Sequence, residues 1–199
     1  RWIKLIHQYE DDTLIQSFHE KWNQSGPLKF IVDLMAPFIE RVGKGWELGE
    51  LTISQEHFAT ECIVSFLTNK WRQLNIQKRG WSILMATLPG ETQSLGLLMA
   101  TVVASLSGGK IIYLGMDTPL EEIIATTKNQ QPQLICFSIS CILNPLDTKE
   151  KISRIRDELE NKITIICGGK GALENFHGVN KIESFNFFNN WLEEFESNL

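Results

Sequence analysis

The chain has 199 residues, a formal net charge of -5 and a 43% share of hydrophobic side chains. That is enough apolar material for one or two domains with a substantial core and no disulfide help. The acidic balance excludes a surface built to grip a nucleic-acid backbone, which needs clustered Lys and Arg. The sole basic cluster, Lys78-Arg79, is too short for that task, so DNA is expected as a partner only through a domain absent from this chain.

Four cysteines, with Cys136 and Cys167 inside apolar runs, read as reduced thiols of a cytoplasmic protein. No Cys/His spacing fits a structural zinc site. No stretch approaches the length of a membrane span and no signal peptide is recognisable, so no membrane partner is expected. The first residue is Arg1 rather than Met, which points to a preceding domain.

Up to about Asn75 the apolar residues recur at helical spacing: Leu14, Ile15 and Phe18; Phe30, Ile31, Leu34 and Phe38; Phe58, Cys62, Phe66 and Leu67. This periodicity predicts a helical bundle. Gly26-Pro27 opens one helix, since proline suits the first turn, and Gly43, Gly45 and Gly49 are expected to break the chain around Trp46. Thr52-Ile53-Ser54-Gln55 has the form of a capping box, so a helix running from there through Trp71 carries Glu56 and His57 in its first turns. Neighbouring helical residues point about 100° apart, so Glu56 and His57 are not expected to make the same contact.

From Trp81 onward short apolar runs alternate with amphipathic stretches, the pattern of a parallel sheet wrapped by helices. The expected strands are Ser82 to Leu88, Lys110 to Leu114, Leu134 to Ile139, Ile163 to Cys167 and a weaker one near Lys181 to Glu183. Thr118-Pro119-Leu120-Glu121 and Asp147-Thr148-Lys149-Glu150 are read as helix starts. The reading is therefore an α/β protein: a helical bundle over 1–76, then a flavodoxin-like, doubly wound parallel five-stranded sheet over 77–199, with the boundary near Gln77 to Gly80. Ligands of such sheets sit at the carboxyl ends of the strands, here the loops Leu88 to Gly96, Ser138 to Asn144 and Gly168 to Gly171.

Trp46 is followed, after nine intervening residues, by Glu56-His57, and then come Pro89-Gly90-Glu91-Thr92-Gln93-Ser94-Leu95-Gly96, Tyr113-Leu114-Gly115-x-Asp117-Thr118-Pro119-Leu120, Ser138-Ile139-Ser140 and Gly168-Gly169. Together and in this order they resemble the cobalamin-binding, light-sensing region of MerR-type photoreceptor regulators. The resemblance implies a helical cap whose Trp and Glu-His lie above a corrin, and a loop Asp/Glu-x-His-x-x-Gly that supplies the lower cobalt ligand. The cofactor-binding residues implied are Trp46, Glu56, His57, Glu91, Gln93, Gly96, Ser138, Ser140, Cys141, Gly168 and Gly169. It further implies a homo-oligomer that controls transcription.

Two positions depart from that pattern. Gln93 stands where the family has the ligating His, and an amide oxygen is a much poorer cobalt donor than an imidazole held by a neighbouring carboxylate, the role of Glu91 in the family. Glu47 stands after Trp46, where the photoreceptors have a second His. Three outcomes stay open: cobalamin bound with water or its own base on the lower face; a linear tetrapyrrole of the biliverdin type, for which Cys141, in the loop at the mouth of the cleft, is the candidate link and a small partly buried residue the alternative; or a ligand-free interaction module. The lost His also argues against a corrinoid carrier subunit, and no catalytic constellation emerges elsewhere, because His7, His19 and His177 are scattered.

Overall fold

The computed structural model of the chain describes residues 1–76, 80–159, 163–172 and 178–199. Lys78-Arg79, His177 and the Gln77 end of the expected boundary lie outside the described residues. Two compact units make up the chain, Arg1–Gln73 and Leu74–Leu199.

Unit 1 is helical. After α1 (Trp2–His7) and α2 (Asp11–Ser25), Gly26 turns the backbone at φ +79 and a long helical run begins at Pro27. That run consists of α3 (Pro27–Phe30), a π-helical turn (Ile31–Met35) and α4 (Ala36–Glu47). The wide turn sits just ahead of Pro37, whose ring and missing N–H deny the Asp33 carbonyl its usual partner. The expected break around Trp46 is corrected: Gly43, Gly45 and Trp46 all lie inside α4, and the left-handed Gly49 (φ +71) follows its end. Interior helical glycine costs only about 1 kcal/mol, and Gly45 has a packing reason, since a Cβ there would lie 3.1 Å from Leu51 Cδ1.

The capping box holds as read. The Gln55 amide donates to Thr52 Oγ1 (3.2 Å) and the Thr52 amide to Gln55 Oε1 (3.0 Å), opening α5 (Ile53–Leu74). Inside the unit Phe18, Phe30 and Phe66 are fully or almost fully buried and meet Trp2, Trp22 and Phe38 in edge-on or tilted ring pairs. Such pairs add about 0.5–1.5 kcal/mol each beyond burial.

One basic cluster borders this aromatic core. Lys70 is buried, with its ammonium 5.0 Å from the Trp22 ring centroid and 5.4 Å from that of Phe66, while His19 meets Phe66 edge-on at 5.0 Å. Burial lowers the His19 pKa from 6.5 and the Lys70 charge lowers it further. A histidine held below its unfolded pKa favours the neutral form, so its contribution is intact above that value and is lost as pH falls through it. Urea unfolding at successive pH values should therefore show stability declining as pH drops below about 6.5, with a shallower decline in His19→Gln.

Unit 2 holds five parallel strands: β1 (Ser82–Ala86), β2 (Lys110–Gly115), β3 (Leu134–Ser138), β4 (Thr164–Gly168) and β5 (Val179–Ile182), ordered β2-β1-β3-β4-β5. This is the expected flavodoxin-like order. All five expected strands lie within two residues of the observed ones, including the weaker fifth; strands of such a sheet read as near-continuous apolar runs where both faces are covered. One face packs Leu84, Ala86, Ile135, Phe137, Ile165 and Cys167 against Leu120, Ile123 and Ile124 of α7 (Leu120–Gln130) and Ile152 and Ile155 of α8 (Pro145–Glu158). Ile83, Met85, Cys136 and Ile166 alternate to the other face, the side of α6 (Leu95–Leu106) and α9 (Phe185–Ser197).

Two helix starts are corrected. The helix expected from Thr118 begins at Leu120 behind Pro119, while Thr118 Oγ1 donates instead to the Gly115 carbonyl (3.3 Å). The helix expected from Asp147 begins earlier, at Pro145, capped by Asn144, whose Oδ1 accepts from the Leu146 amide at 2.8 Å. Asn followed by Pro combines a capping side chain with a ring preset for the first turn, and it outcompetes the later acidic residue. No helix among the described residues is long and apolar enough to cross a membrane.

Candidate functional site

β1 and β3 are neighbours in the sheet, and the connections that leave them run to opposite sides, to β2 and to β4. The crevice at their carboxyl ends is the place such a sheet offers to a ligand. Three loops converge there: residues 87–94 after β1, 116–119 after β2 and 139–144 after β3.

Glu91 ties two of them. Its side chain is fully buried; Oε1 accepts from the Gln93 amide (2.9 Å) and Oε2 from the Ser140 amide (2.7 Å), 49 residues away in sequence. Asp117 ties in the third. Its Oδ1 accepts from the Gly90 amide (2.7 Å), and its own amide donates to Thr87 Oγ1 (2.8 Å) and to the Glu91 carbonyl (3.1 Å). Lys151 Nζ reaches the Pro89 carbonyl (2.8 Å) and Asp147 (2.7 Å). Loop tips usually move; here polar contacts hold them on several sides.

The remaining groups of the edge face outward. Gln93 is exposed, and its side-chain amide bonds to none of the described residues. Ser138, half-buried, likewise gives its hydroxyl no partner among the described residues, and that hydroxyl fits only because position 96 is glycine: a Cβ on Gly96 would lie 2.8 Å from Ser138 Oγ. Ser140 is used locally, its Oγ accepting from the Ile142 amide (3.2 Å). Met116, Ile142 and Leu146, all at this edge, are 55%, 55% and 78% exposed. Large exposed apolar side chains gathered beside free polar groups are the surface that a bulky ligand with apolar rims would cover.

The glycine pair after β4 is explained differently from expectation. Gly168 has ordinary space, with Ile182 Cβ 3.6 Å from where its Cβ would be, but a Cβ on Gly169 would run into the Ile139 carbonyl oxygen and one on Gly171 into that of Ser140. The close approach demanded at 169 and 171 comes from the chain's own backbone, sealed by Ile139 N to Gly168 O (2.9 Å) and Gly171 N to Ile139 O (3.0 Å).

Cys141 is exposed in the loop after β3, while Cys62, Cys136 and Cys167 are buried. Burial pushes the Cys136 thiol up to about 12 and raises those of Cys167 and Cys62 as well, so these three are poor nucleophiles. In unit 1, Trp46 is 50% exposed near the end of α4, followed by exposed Leu48 and Ile53. Glu56 and His57 touch each other, with Glu56 Oε2 3.6 Å from His57 Nε2, while Glu56 Oε1 accepts from Thr60 Oγ1 (2.8 Å). Among the described residues no three His, Cys, Asp or Glu side chains converge on a metal position.

Sequence reasoning named Glu91 but not its bonds, and passed over Thr87, Asp117 and Lys151 as functional positions. The available signal was Asp117 two residues after the strand-end Gly115, a carboxylate where loops converge.

Two family models, each described as a B12 binding domain, match residues 3–68 and 81–176. The HTH-type transcriptional repressor CarH of Myxococcus xanthus is 26% identical over 146 residues, 73% of this chain and 48% of the repressor, so the chain spans about half of that relative's length. The trimethylamine corrinoid protein of Methanosarcina barkeri is 21% identical over 164 residues, 77% of this chain and 76% of that protein. The solved monomethylamine corrinoid protein of Methanosarcina barkeri shares the fold, with a TM-score of 0.75 at 15% identity over 98% of this chain and 96% of that one. With the helical part matching one B12 binding domain model and the sheet part another, the chain belongs to the B12 binding domain family.

Proposed function

We propose that the chain is the cobalamin-binding sensory part of a transcriptional regulator, probing light or ligand state and passing the result to a DNA-binding domain or partner through a change in self-association. The observation that carries this reading is the carboxyl edge of the sheet, where Ser138 and Gln93 offer polar groups without partners among the described residues, on loops that also carry exposed Met116 and Ile142 and are held by Glu91 and Asp117. Bound cobalamin supplies visible-light absorption and an exchangeable axial ligand. The chain supplies the cradle: Ser138 as hydrogen-bond partner for the ligand's tail, Gly96 as the glycine that makes room for the Ser138 hydroxyl, Gly168 as backbone with ordinary space around it, and Trp46, Glu56 and His57 as the residues of unit 1 that respond to the ligand.

The donor set fits a corrin but not an imidazole on its lower face. Residue 93 presents an amide, and Glu91 serves to join the loops, accepting from the Gln93 and Ser140 backbone amides. In this reading the chain would supply no imidazole to the metal, and it would hold the ligand without catalysing a reaction.

A second reading, a corrinoid carrier subunit in methyl transfer, is favoured by the similarity to the trimethylamine corrinoid protein; the missing lower His speaks against it. The linear-tetrapyrrole alternative has Cys141 and the two replaced histidine positions, Gln93 and Glu47, in its favour.

Titration of the purified chain with hydroxocobalamin, adenosylcobalamin and biliverdin, read by absorption and then by denaturation, tests the assignment. A corrin spectrum that leaves the protein on unfolding, with gel-filtration mass differing between dark and lit samples containing adenosylcobalamin, is the expected result. A long-wavelength band that survives unfolding and vanishes in Cys141→Ala would give the bilin, and no pigment uptake at all would sink the proposal.

A further inference from the structure

Asp117 stands in the left-handed backbone region at φ 50, a conformation that a residue with a Cβ adopts only when its surroundings impose it. The constraints are visible. Its amide is held by Thr87 Oγ1 and the Glu91 carbonyl, Thr87 is itself pinned by its amide to the Gly115 carbonyl (2.9 Å), and the Asp117 carboxylate reaches across 27 residues of sequence to the Gly90 amide. Gly90, at φ +87, is the turn that aims Glu91 and Gln93 toward the sheet edge. The carboxylate is exposed, so nothing in core packing calls for an acid here; its bond to Gly90 is what the side chain does.

We propose that Asp117 is a positioning residue for corrinoid binding: by gripping the Gly90 amide it fixes the turn from Pro89 to Gln93 in its binding-ready form before the ligand arrives. The inference rests on the corrinoid reading above. Ordering a loop in advance spares the complex that entropic cost, so the contact appears in affinity more than in fold stability.

The test compares Asp117→Asn, Asp117→Gly and Thr87→Val in the full chain, using hydroxocobalamin as probe, with affinity from absorption titration, thermal unfolding of the unliganded protein and amide exchange at Gly90. Asparagine keeps an oxygen acceptor and tolerates left-handed backbone, so Asp117→Asn should bind within about threefold of the parent. Asp117→Gly relieves the backbone yet loses the acceptor: affinity should fall at least about tenfold and Gly90 exchange should accelerate, with no loss of unfolding temperature. Thr87→Val, which removes one of the two acceptors of the Asp117 amide and leaves the Glu91 carbonyl, should weaken binding in the same direction. Parent-like binding by Asp117→Gly, or equal loss in Asp117→Asn and Asp117→Gly, overturns the inference and leaves the corrinoid reading standing. If the parent protein takes up no corrinoid, both fall together.

Discussion

Glu91→Ala is expected to destabilise unit 2 by about 1 to 3 kcal/mol, since it takes the acceptor from two part-buried amides, each costing about 1 to 3 kcal/mol when fully unsatisfied and less where water reaches it. The Gln93 and Ser140 amides both end on this one carboxylate, which has no exposed surface. A lower urea midpoint, followed by fluorescence of Trp81 and Trp191, is the measurement. Glu91→Gln should not rescue: a carboxylate is an acceptor at both oxygens, whereas an amide turns one of them into a donor facing an N–H. The same substitution separates the loop after β1 from the loop after β3, so hydroxocobalamin affinity should drop with stability in both variants. A Glu91→Gln protein as stable as the parent would mean that one of the two bonds contributes nothing.

Much of this fold was legible because burial writes itself into sequence locally. The runs at Ile83 to Ala86, Leu134 to Phe137 and Ile165 to Cys167 are apolar on consecutive positions because both faces of the sheet are covered, and the Thr52–Gln55 capping box is a contact between residues three apart. Where two local signals competed, the reading slipped by a residue or two, as at Thr118 and Asn144. The glycines beside Trp46 misled for a different reason: Gly45 is there to admit Leu51 and not to end a helix. What could not be read were pairings set only by the sheet order. Glu91 with Ser140 and Asp117 with Gly90 are brought together by β1 lying between β2 and β3, and no spacing rule encodes that. The outward-facing residues of the edge, Gln93 and Ser138, were identified by their resemblance to a family pattern rather than by any periodicity.

Gly169→Ala and Gly171→Ala are expected to cost about 3 kcal/mol or more each, among the larger effects a single methyl group can have. At 169 a Cβ meets the Ile139 carbonyl oxygen and the backbone stands at φ +104; at 171 it meets the Ser140 carbonyl oxygen. Neither obstacle is a flexible side chain, so relief requires prising the loop after β3 away from the loop after β4, breaking the Gly171 N to Ile139 O bond and loosening the Ser140 amide that Glu91 holds. Two controls isolate the cause. Gly49→Ala, at φ +71 with nothing within 4 Å, should lose only about 1 kcal/mol for the left-handed backbone. Gly168→Ala, with Ile182 at an ordinary 3.6 Å, should leave stability within about 0.5 kcal/mol. If Gly168 instead keeps backbone open for a corrinoid, its alanine variant will fold normally and bind hydroxocobalamin more weakly, which divides the Gly-Gly pair into one residue serving the protein's own loops and one serving the ligand. Thermal unfolding of the four variants with and without hydroxocobalamin decides it, and a Gly169→Ala protein as stable as Gly168→Ala would refute the backbone clash.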